Sequence, residues 1–243
     1  MTDSTSLPVE IQRYLAATAD PLPDDTPIER LRFVALDCET TGTDATKDAI
    51  ISMGAIAVID GEIRLEEEFE ALLKIRHNTS SVVVHGITAE EAARKGVYVE
   101  EALTRFLDYL GNAVIVGHHI GFDVEVIQRA CLRNFGIELN NRWIDTMELT
   151  LHLDDVGAIE AMRRSVGGTA SPFQDFSLDG LCRRFRIAPH DRHTAAGDAF
   201  ITAQIFLKLL RLAQRHDRTT LGALAERWVD PRDTEEAGGG SQK

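Results

Sequence analysis

The stretch Arg32-Phe33-Val34-Ala35-Leu36-Asp37-Cys38-Glu39-Thr40-Thr41-Gly42 decides how the chain is read. Its first part, 32–36, is a short apolar run of the kind a strand covered on both faces requires. The run ends in two carboxylates, Asp37 and Glu39, followed by a Thr-Thr-Gly turn. Residues two apart on a strand share a face, so both carboxylates point the same way. Such a pair suits a hard divalent cation, which prefers oxygen ligands. Taken alone, it reads more simply as two solvated acids at a strand end. Thr40, Thr41 and Gly42 place free hydroxyls and backbone amides beside the carboxylates, groups that suit a phosphate or sugar edge.

Working outward, Ile50–Ile59 is a second apolar run, Asp60-Gly61 is a two-residue hairpin turn, and Glu62–Leu73 returns as a third strand. Thr88 and Glu91 stand in capping-box spacing at the start of a helix over 88–94. Helices are predicted over 99–110, 122–135 and 178–185, with short strands at 113–116 and 142–144. The clearest helix is 195–215, where Ala199, Ala203, Phe206, Leu210 and Ala213 recur at three- and four-residue steps. Three strands followed by helices alternating with short strands predict an α/β fold: a mixed sheet with helices on both faces.

Composition narrows the function classes. With 243 residues and 44% hydrophobic content the chain can build a sizeable core, which excludes global disorder. The longest apolar stretch, 49–59, is too short to span a membrane. The opening MTDSTSLPVE has neither a basic nor an apolar region of the secretory kind. Cys38, Cys131 and Cys182 are scattered with no CxxC pair, which argues against a zinc or redox motif and fits a reducing cytoplasm. A net charge of −13 argues against a broad electrostatic grip on nucleic acid, although a metal-binding acid cluster would account for part of it. Residues 1–31 read as an N-terminal appendage, a short helix over 9–18 and then a linker broken by Pro21, Pro23 and Pro27. Residues 32–228 form the domain, and 229–243, with a Gly-Gly-Gly-Ser run, a flexible tail.

Two further elements carry acids. Gly117-His118-His119-Ile120-Gly121-Phe122-Asp123 follows the strand Val114–Val116 and opens a helix. Asp123 is thereby placed near a strand C-terminus and a helix N-terminus, where α/β proteins tend to hold ligands. It could equally serve only the helix dipole. In His193-Thr194-Ala195-Ala196-Gly197-Asp198, the acid opens an otherwise apolar helix, where burying it unpaired is costly. On one continuous helix His193 and Asp198 would lie about 140° apart, so both face one site only if His193 sits in the preceding loop.

In this order the elements resemble the DEDD 3′→5′ exonucleases, in the DnaQ-like branch that includes the bacterial polymerase proofreading (epsilon) subunit. Leu36-Asp37-Cys38-Glu39-Thr40-Thr41-Gly42 looks like the first exonuclease motif, His118–Asp123 like the second, and His193 with four residues before Asp198 like the third in its histidine version. Ile50–Ala55, Val84–Thr88, Asp145-Thr146 and Ser177–Cys182 are similar as well, and the resemblance covers about residues 32–212. Ser52 stands where the family often has Glu, His119 where it often has Asn, and the stretch 154–176 looks longer than in compact members.

The resemblance implies a ribonuclease H-like fold, a five-stranded mixed sheet flanked by helices. It implies that Asp37, Glu39, Asp123 and Asp198 hold two Mg²⁺ or Mn²⁺ ions and that His193 is the general base. The reaction implied is hydrolysis of terminal phosphodiesters of single-stranded DNA from the 3′ end to nucleoside 5′-monophosphates. Thr40, Thr41 and Gly42 are candidates to grip the terminal nucleotide. Met53 is an apolar wedge or core packing, and His85 a phosphate contact or a loop histidine held by backbone. His118 is read as a structural neighbour of the site. Arg183, Arg184, Arg186 and Arg192 are read as tracking the nucleic-acid backbone or as a solvated face. The implied partners are single-stranded 3′ ends and a DNA polymerase or repair protein in trans, with no membrane; residues 1–31 could dock that partner or a second copy of the chain in a homo-oligomer. The alternatives are an exoribonuclease of the ribonuclease T or oligoribonuclease type, and a non-catalytic nuclease-fold subunit.

Overall fold

A computed structural model describes residues 7–75, 86–159 and 175–226. Five strands form one sheet: β1 (Phe33–Thr40), β2 (Ile50–Ile59), β3 (Glu62–Leu72), β4 (Val114–Gly117) and β5 (Trp143–Asp145). Their order is β3-β2-β1-β4-β5. The first three pair antiparallel and the last two join parallel to β1. The β2–β3 turn is the expected Asp60-Gly61 hairpin, with φ of 54° and 73°, the left-handed pair a two-residue turn needs.

The helices are α1 (Val9–Ala17), α2 (Ala89–Lys95), α3 (Val99–Leu110), α4 (Gly121–Phe135), α5 (Thr146–Asp155), α6 (Leu178–Phe185), α7 (Ala195–Arg215) and α8 (Leu221–Ala225). Thr88 caps α2 by accepting from the Glu91 N–H at 3.2 Å, as its spacing predicts. Helix α5 went unread in the sequence. Asp145 ends β5 and immediately caps it by accepting from the Met147 N–H at 2.8 Å.

The period of two along β1 divides the interior. Phe33 and Ala35 pack with Ile56, Val58 and helices α5 to α8 on one face. Val34 and Leu36 pack with Met53, Ala55 and helices α1, α3 and α4 on the other. Asp37 and Glu39 have the parity of Phe33 and Ala35, so they continue the α7 face. The long α7 lies across β1 and β2, and Phe206 meets Phe33 edge-to-face with ring centroids 4.9 Å apart.

The segment read as an appendage packs onto the domain. Ile11 and Tyr14 are fully buried in the α3–α4 face, and Ile28 and Leu31 are buried in the other. The Tyr14 hydroxyl donates to Asn141 Oδ1 at 2.8 Å and accepts from the Asn140 N–H at 2.9 Å. The prolines of 21–27 break regular structure, but apolar residues on either side still find the core. The tail 229–243 and His85 lie outside the described residues, as does most of the stretch 154–176. No helix among the described residues is long and apolar enough to cross a membrane.

Candidate metal centre

The site lies where the parallel strands β1, β4 and β5 end. Carboxylate oxygens of Asp37, Glu39 and Asp198 all fall within 4.8 Å of one another. Asp198 arrives on the first turn of α7, which Thr194 caps by accepting from the Gly197 N–H at 3.1 Å. This close approach requires a glycine. Gly54 pairs with Asp37 across the strands, and a Cβ there would stand 2.2 Å from the Ala195 carbonyl carbon. The α7 backbone therefore rests directly on β2, which carries Asp198 over to the β1 acids.

Asp123 adjoins this trio without entering it. It is buried, and its Oδ1 accepts from the Cys38 N–H at 2.9 Å, between the two β1 acids. The loop that delivers it is tied to the next strand end. Asp145 accepts from the His119 and Ile120 N–H groups at 3.3 and 3.1 Å, which fixes the left-handed turn at His119 ahead of α4. Asp145, singled out in the sequence only as a supporting fragment, is the structural hub of this end of the sheet.

The electrostatics are those of crowded acids. Burial pushes the Asp37 carboxyl well above its usual range, and the charges of Asp123, Asp198 and Glu39 push it further. Glu39 is raised to about 7, first by burial and then by Asp198 and Asp123. Burial likewise raises Asp123, against the hydrogen bond from Cys38. Among the described residues, Asp198 Oδ1 is buried with no hydrogen-bond partner. A buried, unpaired carboxylate oxygen on a residue clustered with two further carboxylates belongs to the donor set a hard divalent cation requires. The residues present thus fit the metal role expected of them.

His193 sits in the loop before α7, the placement its spacing requires if it is to share a site with Asp198. Its backbone is left-handed, with φ 63°, and its N–H donates to Asp198 Oδ2 at 3.3 Å. Its imidazole is exposed. His118 is half-buried, bonds Thr146 Oγ1 through Nδ1 at 3.0 Å, and is lowered to about 4, chiefly by desolvation.

Several substrate expectations change. Met53 is fully buried among the α3–α4 core, because its parity on β2 is opposite to that of Ser52 and Gly54, which pair with Glu39 and Asp37. It is core packing, not a wedge. The hydroxyls of Thr40 and Thr41 are not free: Thr40 donates to the Gly42 carbonyl at 2.6 Å, and Thr41 donates to Asp48 Oδ1 at 2.7 Å while accepting from the Ala49 N–H at 3.0 Å. Gly42 is packed against the same Asp48 carboxylate. Arg192 does not line an outer track. It reaches inward to pair with Asp179 and Asp198, and Arg183 pairs with Asp175.

Comparison with known proteins agrees with this geometry. The exonuclease family model RNase T matches residues 34–206, most of the chain. A DNA polymerase III of PolC type from Thermotoga petrophila is 30% identical over 220 residues, covering 88% of this chain and 15% of that protein. A DNA polymerase III subunit epsilon-like protein from Rhodobacter capsulatus is 33% identical over 205 residues, covering 82% of this chain and 27% of that one. The chain therefore spans a minor part of these relatives' length. Among solved structures, E. coli exonuclease I in complex with a dT13 oligonucleotide superposes with a TM-score of 0.64 at 21% identity, covering 77% of this chain and 43% of its own. Exonuclease X in complex with 5′-overhanging duplex DNA superposes with a TM-score of 0.58 at 22% identity, covering 80% of this chain and 97% of its own. At such identities the likeness is one of fold, the ribonuclease H-like sheet with its flanking helices.

Proposed function

Because the chain belongs to the exonuclease family that the RNase T model describes, we propose that it is a divalent-metal-dependent 3′→5′ exonuclease acting on single-stranded DNA. The observation that carries this reading is the Asp37–Glu39–Asp198 cluster, with ligand atoms within 4.8 Å and a buried, partnerless oxygen on Asp198. Asp37, Glu39 and Asp198, with Asp123 beside them, would hold two Mg²⁺ or Mn²⁺ ions, which supply activation of water and charge stabilisation at the departing 3′ oxygen.

The protein's own part is to position and to move a proton. Asp123 is held by the Cys38 N–H, and Asp145 holds the loop before it, so the fourth carboxylate is preset beside the trio. His193 is the proposed general base. Its backbone N–H is tied to Asp198, which anchors the residue beside the acid cluster while its imidazole stays open to solvent, where it could take a proton from water. His118 is unsuited to that role, since burial and the nearby charges of His119 and Arg192 keep it neutral and a weak base. Thr40, Thr41 and Gly42 contribute a rigid, internally bonded turn beside the acids, so any contact with the terminal nucleotide is proposed to come from the shape and backbone of this turn.

DNA is favoured over RNA by what the similar proteins are called: DNA polymerase III chains and a subunit epsilon-like protein. The same names favour a DNA polymerase as protein partner. The three free thiols suit a cytoplasmic setting.

The test is cleavage of 5′-labelled single-stranded DNA and RNA of one sequence in Mg²⁺, Mn²⁺ or EDTA, with Asp198→Asn and His193→Ala as controls. A ladder shortening from the 3′ end, faster on DNA and lost in EDTA and both variants, is expected. Faster loss of RNA would identify an exoribonuclease. No cleavage of either polymer, with or without the polymerase partner, would identify a non-catalytic subunit.

A further inference from the structure

Crowded, partly buried carboxylates need a counter-charge, and the chain supplies one of its own. Arg192 sets Nε on Asp179 Oδ1 at 2.8 Å and Nη1 on Asp198 Oδ2. Its side chain is only 19% exposed. Asp191 and His193, on either side, both have left-handed backbone, with φ of 53° and 63°. Two such non-glycine residues flanking one position are uncommon, and this backbone turns Arg192 inward while His193 faces solvent.

The two oxygens of Asp198 are consequently in different states. Oδ2 accepts from Arg192 and from the His193 N–H, whereas Oδ1 is buried with no partner among the described residues. A cation shared by Asp37, Glu39 and Asp198 would claim the carboxylate that the guanidinium now holds. Asp179, on the first turn of α6, stands outside the trio and is half exposed, so it remains a seat for the guanidinium. An Arg fork engages two carboxylates through separate nitrogens, and a small torsional change gives up one contact while keeping the other.

We propose that Arg192 is the resident counter-ion of the acid cluster, bound to Asp198 in the metal-free protein and withdrawn onto Asp179 when a divalent cation binds. This rests on the reading of the cluster as a metal centre. Arg192 is in this sense a positioning residue. It keeps the empty site from repelling itself and competes with the cation for Asp198.

The signature is a pair of effects of opposite sign. Removing Arg192 takes away a competitor and tightens cation binding; it also leaves the metal-free carboxylates uncompensated and lowers the melting temperature in EDTA. A residue that merely held the loop together would weaken both. The experiment is calorimetric titration of the full chain with Mn²⁺, beside thermal melts in EDTA, for wild type, Arg192→Ala, Arg192→Lys and Asp179→Asn. Arg192→Ala is expected to bind Mn²⁺ about tenfold more tightly, the scale of one charge-assisted hydrogen bond, and to melt lower in EDTA. Arg192→Lys, which keeps the charge but not the fork, falls between, and secures the comparison should the alanine variant fold poorly. Asp179→Asn, which removes the alternative seat, binds more weakly than wild type. Arg192→Ala and Arg192→Lys binding no tighter than wild type would overturn the proposal while leaving the metal centre standing. Absence of Mn²⁺ binding in all four proteins would overturn both.

Discussion

Gly54→Ala tests the joint on which the site depends. Gly54 pairs with Asp37 in the sheet and lies outside the left-handed region, so alanine suits its backbone. The obstacle is space alone. The added Cβ would stand 2.2 Å from both the Ala195 carbonyl carbon and the Ala196 nitrogen, where ordinary contact begins at 3.4 Å, so the start of α7 must retreat by about 1.2 Å. These are backbone atoms, and no side-chain rotation relieves them. Overpacking of this kind costs about 1–3 kcal/mol, and the lower entropy of the unfolded alanine chain returns only about 0.4–1 kcal/mol. At about 2–4 °C per kcal/mol for a domain of this size, the variant should melt several degrees below wild type. Asp198 is on the displaced turn, so cation binding should weaken and cleavage fall by about 100-fold, the usual consequence of misplacing a reacting group by roughly 1 Å. Thermal melts and Mn²⁺ titration of the purified variant measure both effects. A variant that melts with wild type and binds Mn²⁺ equally well would refute the claim that direct backbone contact between α7 and β2 sets the site.

Glu39→Gln should stabilise the metal-free protein at pH 8 and lose that advantage near pH 4.5. The Glu39 carboxyl rises from 4.5 unfolded to about 7 folded, so its contribution is fully present below the first value and is lost as pH rises through the second; melts in EDTA at the two pH values read the difference, and an equal gain at both would contradict the burial argument. Tyr14→Phe removes a hydroxyl that joins Asn141 Oδ1 and the Asn140 N–H, and should cost about 1–2 kcal/mol in chemical denaturation while leaving cleavage unchanged, which would confirm that α1 belongs to the fold and not to the site. Asp145→Ala strips the acceptor from the N–H groups of His119, Ile120 and Met147; it should lower stability by about 2 kcal/mol or more and weaken Mn²⁺ binding through the loosened Asp123 loop, whereas unchanged Mn²⁺ affinity would separate Asp145 from the site.

Much of this protein was legible one residue at a time. The strand Ile50–Ile59, the helices Val99–Leu110, Leu178–Phe185 and Ala195–Arg215, and the Asp60-Gly61 turn follow from periodicity and turn chemistry, which are local properties of the chain. Period-two geometry alone put Asp37 and Glu39 on one face, and five-residue spacing required His193 to lie off the helix of Asp198 if the two were to share a site. The three motifs, in order, also carried the family. Other features depended on partners, near or far in sequence, that only the folded backbone brings within reach. The turn hydroxyls of Thr40 and Thr41 look available until Asp48 and the Ala49 N–H close on Thr41 and the Gly42 carbonyl takes Thr40. Tyr14 looks like part of an appendage until Asn141, more than a hundred residues on, supplies its hydrogen bond. Met53 fits a wedge or a core equally until sheet pairing assigns its parity. Arg192 looks like one solvated base among four until the fold sets Asp179 and Asp198 on either side of it. Sequence by itself determined the elements and the identity of the acids, because backbone preference and side-chain chemistry are carried residue by residue. Only the tertiary structure decided which polar groups are already satisfied and where charge is left uncompensated, because those depend on distances between segments that the chain brings together by folding.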